Sequence, residues 1–317
     1  MLETRELTKR YGDFLALRGA TLDVAAGECV GVLGPNGAGK STLFRLLMGF
    51  IRPTSGTAKV AGFDCQKQLK AVHEHVAYLP GDVRLFGEMR GRGVLEFFAD
   101  IHPRGNRQKS LDTAARLELD LTRRVAFMST GMRQKLGLAI ALSNDAPLII
   151  MDEPTTSLDP NVRAEVIRMI GQAHKGGRTV MICSHVLSEI EDICDRVLIL
   201  RGGNVVHDQC LVELRRRYRV FAKSTGKIDS PPPQLAGQIE NLRHHETDFR
   251  LEVVGDLQPV LPWLAAQPLV DLRIQPHDLR EVYERYHHPA EVSPNAAPSS
   301  TTPTSTTPPA KSQVVSR

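Results

Sequence analysis

The sequence predicts an α/β fold: a largely parallel sheet, opened by antiparallel strands and interrupted by a helical insert. Three observations lead there. Short apolar stretches of strand length alternate with segments of helical spacing, as strand–crossover–strand units do. A glycine-rich loop joins the apolar strand ECVGVLG to the helical KSTLFRLLMG. The 317 residues, 41% of them hydrophobic, suffice for one large or two modest domains with sizeable cores.

Residues 1–24 read as strands: LETRELTKRY alternates, GD turns and LALRGATLDV resumes. GTAKVAGFD reads as a further strand between glycine turns. From about Val83 to Leu142 the spacing turns helical, through GVLEFFADIH, KSLDTAARLELD and MRQKLGLAIALSN. PLIIMDEP then returns as a buried strand, and NVRAEVIRMIGQAHKGG is a helix ended by glycines. TVMICSH is a strand, VLSEIEDICDR a helix, and VLILRGGNVVHDQ a hairpin turning at Gly202–Asn204.

Arg215–His288 reads as a small α+β appendix. YRVFAKST, DFRLEVVGD and VDLRIQP are its strands, LQPVLPWLAAQ a short helix, HDLREVYERYHH a closing helix and SPPPQ a loop. Residues 289–317 are Ser, Thr, Pro and Ala with almost no bulky apolar side chains; such a tail cannot offset its ordering entropy and is expected to be disordered. The domains expected are therefore 1–214 (helical insert about 83–142), 215–288 and 289–317.

A net charge of +4 is too mild to argue for nucleic acid. No apolar run approaches the roughly 20 residues that span a bilayer. The N-terminus lacks the apolar segment of a signal peptide, so a cytoplasmic location is expected. The five cysteines are scattered without a CxxC pair, which suits thiols in a reducing compartment.

GPNGAGKS, Gly34–Ser41, fits G-x-x-x-x-G-K-[ST], follows an apolar strand and opens a helix. Gly34, Gly37 and Gly39 permit bends that turn successive N–H groups inward as an anion nest, and the helix start adds partial positive charge. Gly34, Pro35, Asn36, Gly37, Ala38, Gly39, Lys40, Ser41 and Thr42 are the candidate nucleotide-binding residues. Lys40 is expected to reach the β- and γ-phosphates and the Ser41 hydroxyl to ligate Mg²⁺. LIIMDEP delivers Asp152 to the end of a buried strand, where it can hold the Mg²⁺ shell directly or through water. Glu153, one residue on, can orient and deprotonate an attacking water.

FMSTGMRQK, followed by LIIMDEPTTSLDP and ICSHVLSEIEDICDRVLIL, resembles the ATP-binding cassette (ABC) ATPase subunits over roughly Leu2 to Leu214. The resemblance implies a P-loop NTPase cassette with an antiparallel β subdomain and a helical insert, followed here by the α+β appendix and tail. It implies ATP and Mg²⁺ as cofactors and a second cassette, in a homodimer or heterodimer, as partner. Ser129 and Gly131 match the signature that contacts the nucleotide held by the opposite subunit. Tyr11 matches the aromatic residue stacked on adenine, and His185 the switch histidine at the γ-phosphate. Ser157–Asp159 match the loop that crosses to the partner. Catalytic roles accordingly fall to Glu153, His185 and Lys40, and metal binding to Ser41 and Asp152.

The chain departs from the family pattern in two places, the sensor position and the signature. Gly81 stands where a sensor glutamine follows YLP; Asp82 can substitute, or coupling can run through backbone and helix motion alone. Thr130 and Met132 replace a glycine and a glutamine of the signature, which implies altered geometry rather than lost binding. The wording of STGMRQK and of DLREVYERYH resembles exporters of drugs, lipids or polymers. The expected protein is then a motor on the inner face of the cell membrane, driving a separate integral-membrane permease docked on the helical insert. An importer subunit remains an alternative, as does a soluble cassette acting on nucleic acid or ribosomes, although one cassette without sustained heptads argues against the latter. A non-hydrolysing regulatory binder is the third, opposed by Glu153.

Overall fold

The computed structural model describes residues 1–287; the tail expected at 289–317 lies outside the described residues. β1 (Leu2–Tyr11) and β2 (Phe14–Val24) open the chain as an antiparallel pair turning at Gly12–Asp13. β3 (Cys29–Leu33), buried at every residue, leads through a loop into α1 (Lys40–Leu47). GTAKVAGFD, read as one strand, is two: β4 (Ser55–Val60) and β5 (Phe63–Asp64) fold back on each other around Ala61 and Gly62, both at positive φ. Glycine enters that conformation without the Cβ penalty, which makes the stretch a tight turn instead of a continuous strand. β4 also pairs β1, giving a sheet ordered β2-β1-β4-β5.

A short α2 (Leu69–Glu74) and β6 (Val76–Leu79) precede the helical insert. The insert becomes helical later than Val83: residues 83–90 are irregular, and α3 (Gly91–Ile101), α4 (Arg107–Arg116) and α5 (Thr130–Ser143) carry it. These helices enclose a core of their own that includes Val94, Leu95, Ala114 and Leu136.

β7 (Leu148–Asp152), α6 (Pro160–Lys175), β8 (Thr179–Cys183), α7 (Leu187–Ile193), β9 (Arg196–Arg201) and β10 (Asn204–Cys210) complete the main sheet. Its order is β10-β9-β3-β8-β7-β6, parallel throughout except for β10 on β9. That hairpin turns at Gly202–Gly203, because Asn204 already pairs with Arg201 in the ladder. Alternate strand residues face opposite cores. Val30, Leu148 and Ile150 meet α1's Phe44 and Leu46 on one side, while Ile149, Met151 and Ile182 meet α6's Val166 and Ile170 on the other.

After α8 (Leu211–Leu214), four antiparallel strands form a third sheet, ordered β12-β13-β11-β14. They are β11 (Arg217–Ser224), β12 (Ile239–His245), β13 (Asp248–Val254) and β14 (Leu269–Pro276). β12 escapes the sequence pattern because six of its seven residues are exposed and no apolar alternation marks it. SPPPQ runs into a single 3-10 turn at Pro233–Leu235. α9 (Leu261–Ala265) lays Trp263 and Leu264 on Val220, Phe249 and Val253. The closing helix α10 (Leu279–His287) packs Leu279, Val282 and Tyr286 against the α6–α7 core of the main sheet, so it fastens the appendix to the rest of the chain. The Leu279 N–H donates to the Glu191 carboxyl at 2.9 Å, and Arg201 Nη1 donates to the Tyr286 carbonyl at 2.8 Å.

All five cysteines are free thiols, with Cys29 and Cys194 Sγ atoms 3.6 Å apart. No helix among the described residues is long and apolar enough to cross a membrane.

Candidate active site

The sheet order explains why distant segments meet. β6, β7, β8 and β3 are parallel neighbours, so the loops leaving their C-terminal ends lie side by side. Those loops carry Gly81, the Asp152–Glu153 pair, His185 and the Gly34–Gly39 stretch, respectively. Open parallel sheets bind ligands at this edge.

The glycine-rich loop is held by tight backbone approaches. Gly34, Gly37 and Gly39 have φ of 152°, 81° and 107°, conformations an L side chain rarely adopts. A Cβ on Gly34 would stand 2.3 Å from the Leu200 carbonyl oxygen, and one on Gly39 2.6 Å from that of Ala16. The Ala38 N–H donates to the Pro35 carbonyl, and the Ala38 carbonyl accepts from the Gly203 N–H. Asn36 and Gly37 are exposed at the tip of the loop. α1 begins at Gly39 with neither a side-chain cap nor an acidic residue in its first turn, so its first-turn donors and partial positive charge face the loop uncompensated. Lys40 curls back, its Nζ donating to the carbonyls of Gly34 (2.7 Å) and Pro35 (3.1 Å), and Thr42 follows in the first turn.

Ser41 and Asp152, 111 residues apart, are joined directly: Ser41 Oγ donates to Asp152 Oδ2 at 2.7 Å. A hydroxyl and a carboxyl side by side at a glycine-rich loop form an all-oxygen donor set that suits a hard divalent cation such as Mg²⁺. Beside them, Glu153 Oε2 lies 2.6 Å from His185 Nδ1, with Glu153 largely buried and His185 68% exposed. Glu153 has φ of 52°, strained for a residue with a Cβ, and its N–H donates to the Cys183 carbonyl. The Cys183 thiol behind the pair is held well above its ordinary range by burial first and then by Asp152 and Glu153, so it stays protonated.

The departure at Gly81 has a spatial setting. Gly81 abuts Asp152: a Cβ there would stand 3.4 Å from the Asp152 carboxyl carbon, in ordinary contact. Asp82 is 72% exposed and pairs with Arg84 at 2.7 Å.

Ser129 caps α5, its Oγ accepting from the Met132 N–H at 3.2 Å. A Cβ on Gly131 would stand 2.7 Å from the Ser157 carbonyl oxygen, so the start of α5 adjoins the Ser157–Asp159 turn. None of the contacts of Ser129 or Gly131 described here is with the Gly34–Ser41 loop. Tyr11 sits at the β1–β2 turn, 44% exposed, with Lys9 Nζ 4.9 Å from its ring centre.

Two buried side chains with no separate role in the sequence reading hold the Glu153 segment. Gln134 donates from Nε2 to the carbonyls of Glu153 (3.2 Å) and Pro154 (3.0 Å). Glu189 Oε2 accepts from Thr155 Oγ1 (2.9 Å) and from Ser184 Oγ (2.7 Å). Only helical spacing could have pointed to them, and it does not tell a polar side chain turned inward from one turned to water.

A profile of the family described as ABC transporter matches residues 17–156. The chain is 36% identical over 210 residues to the Nod factor export ATP-binding protein I of Rhizobium meliloti, a match covering 65% of this chain and 63% of that protein's length. It is 39% identical over 212 residues to the daunorubicin resistance ATP-binding protein DrrA3 of Streptomyces coeruleorubidus, covering 65% and 67%. A solved ATP-binding subunit of an ABC transporter superposes with a TM-score of 0.62 at 27% identity, over 68% of this chain and 92% of that one. By these matches the chain belongs to the ABC transporter family.

Proposed function

We propose that this chain is the ATP-hydrolysing motor of an ABC exporter, pairing with a second cassette on ATP and driving a separate membrane permease. The observation that carries this reading is the meeting, at the mouths of three neighbouring parallel strands, of an uncapped helix start, a hydroxyl–carboxyl pair and a carboxyl–imidazole pair. Each piece answers one need of phosphoryl transfer. The backbone N–H groups of Gly34–Ser41 bind phosphate oxygens, with Pro35, Asn36 and Ala38 shaping the loop and Thr42 continuing the helix start. Lys40 leaves its carbonyl partners to neutralise the β- and γ-phosphates. Ser41 and Asp152 hold Mg²⁺, which when bound supplies positive charge against the phosphate oxygens. Glu153 orients and deprotonates the attacking water, and His185 holds that carboxyl and faces the γ-phosphate. Tyr11 offers its exposed ring to adenine.

Ser129 and Gly131 complete the pocket of the partner cassette rather than their own, and the Ser157–Asp159 turn crosses with them. The cassette proper is taken as residues 1–214, its helical part within 83–142, with an α+β unit from 215. The permease docks in the groove of about 560 Å³ between the main sheet and the insert, where Tyr78, Phe98 and Ile101 are among the lining residues. Phe50 stands over that rim, its ring against those of His73 and Tyr78. This docking would keep the chain on the inner face of the membrane. Export as the direction follows the names of the relatives, which speak of Nod factor export and drug resistance.

The test uses Glu153→Gln, which keeps the side-chain volume and removes the base. Wild type releases phosphate from Mg-ATP; the variant holds ATP and elutes as a dimer in size-exclusion chromatography. A variant that stays monomeric with ATP, beside a wild type that releases no phosphate, sinks the reading. Affinity purification from solubilised membranes, with identification of the integral partner, tests the transport half.

A further inference from the structure

The loops after β7 and β8 carry Glu153 and His185, the two groups that meet at 2.6 Å. The ladder between these strands ends at Asp152 and Cys183, and the Glu153 N–H to the Cys183 carbonyl is the last backbone bond between them. Past that point, beside the Glu153–His185 contact itself, one oxygen of α7 joins the loops. Glu189 Oε2, on α7, accepts from Thr155, two residues after Glu153, and from Ser184, the residue before His185. Glu189 is 4% exposed, and Thr155 and Ser184 are 1% exposed. The other oxygen of Glu189 lies 3.7 Å from Arg163 Nε. Ser184 also accepts the Val186 N–H at 3.0 Å, which fixes the far side of the His185 turn.

A buried carboxyl is costly unless its lone pairs are used, so its presence here calls for a reason. The bridged segment is strained at both ends, with φ of 52° at Glu153 and 64° at Ser157, and strained turns persist only where their surroundings over-determine them. We infer that Glu189 is a positioning residue for hydrolysis: through Thr155 and Ser184 it sets the Glu153–His185 geometry. This rests on the hydrolytic reading above. It adds to that reading a buried carboxyl that holds the two catalytic loops in register. The described side-chain contacts of Glu189, with Thr155, Ser184 and Arg163, include no residue of the Gly34–Ser41 loop, so its removal should disturb alignment and spare that loop.

The experiment compares the full chain with Glu189→Ala and Glu189→Gln. In Glu189→Gln the amide oxygen can still accept both hydroxyls, so the bridge survives; in Glu189→Ala it is gone. The first readout needs no nucleotide: the imidazole Nδ1 resonance of His185, assigned by its loss in His185→Asn, shifts in Glu189→Ala and stays near the wild-type position in Glu189→Gln. The second is phosphate release. In Glu189→Ala kcat falls about 100-fold, the size expected of a misaligned catalytic group, while KM for ATP moves little, and Glu189→Gln recovers most of the rate. If Glu189→Ala proves unfolded, Ser184→Ala and Thr155→Val each remove one donor and lower kcat about tenfold. Wild-type kcat and an unshifted imidazole in Glu189→Ala overturn the inference, as does a joint loss of kcat and nucleotide affinity in both Glu189 variants. An imidazole that responds to Glu189→Ala in a chain whose wild type never hydrolyses ATP keeps the positioning role and removes the hydrolytic reading instead.

Discussion

His185 Nδ1 and Glu153 Oε2 stand 2.6 Å apart although they leave different strands, and the imidazole is the exposed member of the pair. A carboxyl held through one oxygen keeps the other in a fixed direction, which aligning a base on a water requires. His185→Ala removes that hold without touching the phosphate loop. The expected result is a kcat lower by roughly 100-fold, within the range general-base alignment contributes, with KM for ATP little changed. Steady-state phosphate release gives both numbers, and an equal rise in KM would instead assign His185 to ground-state binding.

The 2.7 Å bond between Ser41 and Asp152 makes a prediction about the metal. Ser41→Ala and Asp152→Asn each spoil the same oxygen pair. The Mg²⁺ concentration for half-maximal turnover should rise roughly 10- to 100-fold in both, the span known for residues that support a metal site. Titrating Mg²⁺ at fixed ATP reads this, and combining the two changes should add little, because each alone breaks the pair.

Gln134 concerns stability. It is 4% exposed and satisfies the carbonyls of Glu153 and Pro154. Gln134→Leu has similar volume but takes the donor from the Pro154 carbonyl and leaves the Glu153 carbonyl only the Thr156 N–H, which costs about 1–3 kcal/mol. Urea unfolding followed by circular dichroism measures it, and turnover should drop as well, since the freed backbone carries Glu153.

Much of this site could be read before any coordinates. The strand–loop–helix around Gly34–Ser41 and the buried strand that ends at Asp152 were legible locally, from spacing and from an unbroken apolar run. The adjacency of β3, β8 and β7 was not, because it depends on non-local pairing that periodicity does not encode. Burial of Glu189 was hidden for a related reason: nothing beside it in sequence reports that Thr155 and Ser184 will come to it. The polar strand β12 was missed for want of apolar alternation, and the turn at Gly62 was hidden inside what looked like one strand.

Gly81 can be tested by filling the space it leaves. A Cβ there meets Asp152 only at 3.4 Å, and its φ is not in the left-handed region, so Gly81→Gln should fold with an unchanged melting temperature and bring an amide to the Ser41–Asp152 pair. Asp82, exposed and tied to Arg84, makes no such approach. Asp82→Ala should therefore leave phosphate release within about twofold of wild type, as surface substitutions usually do. A large loss on Asp82→Ala would restore it as the stand-in for the missing glutamine.

The joint between α10 and the main sheet should respond to pH through two groups of opposite sign. Burial, with the neighbouring Asp278 carboxyl adding, raises the Glu191 carboxyl above its ordinary 4.5, even though the Leu279 N–H donated to it pulls the other way. A folded state that raises an acid's pKa binds its proton more tightly than the unfolded chain does. Glu191's contribution is thus fully present below 4.5 and lost as pH rises through the higher folded value. His277 is lowered from 6.5, chiefly by burial and then by Arg219, so its contribution is present above 6.5 and lost as pH falls through the folded value. Glu191→Gln keeps an acceptor for Leu279 and cannot ionise; it should match wild type near pH 4.5 and melt higher than wild type at about pH 8. His277→Gln cannot take a proton; it should match wild type at about pH 8 and melt higher at about pH 5. Thermal unfolding of the three proteins across that range separates the two slopes. Parallel curves for wild type and Glu191→Gln would mean that Glu191 ionises as freely in the joint as in the unfolded chain.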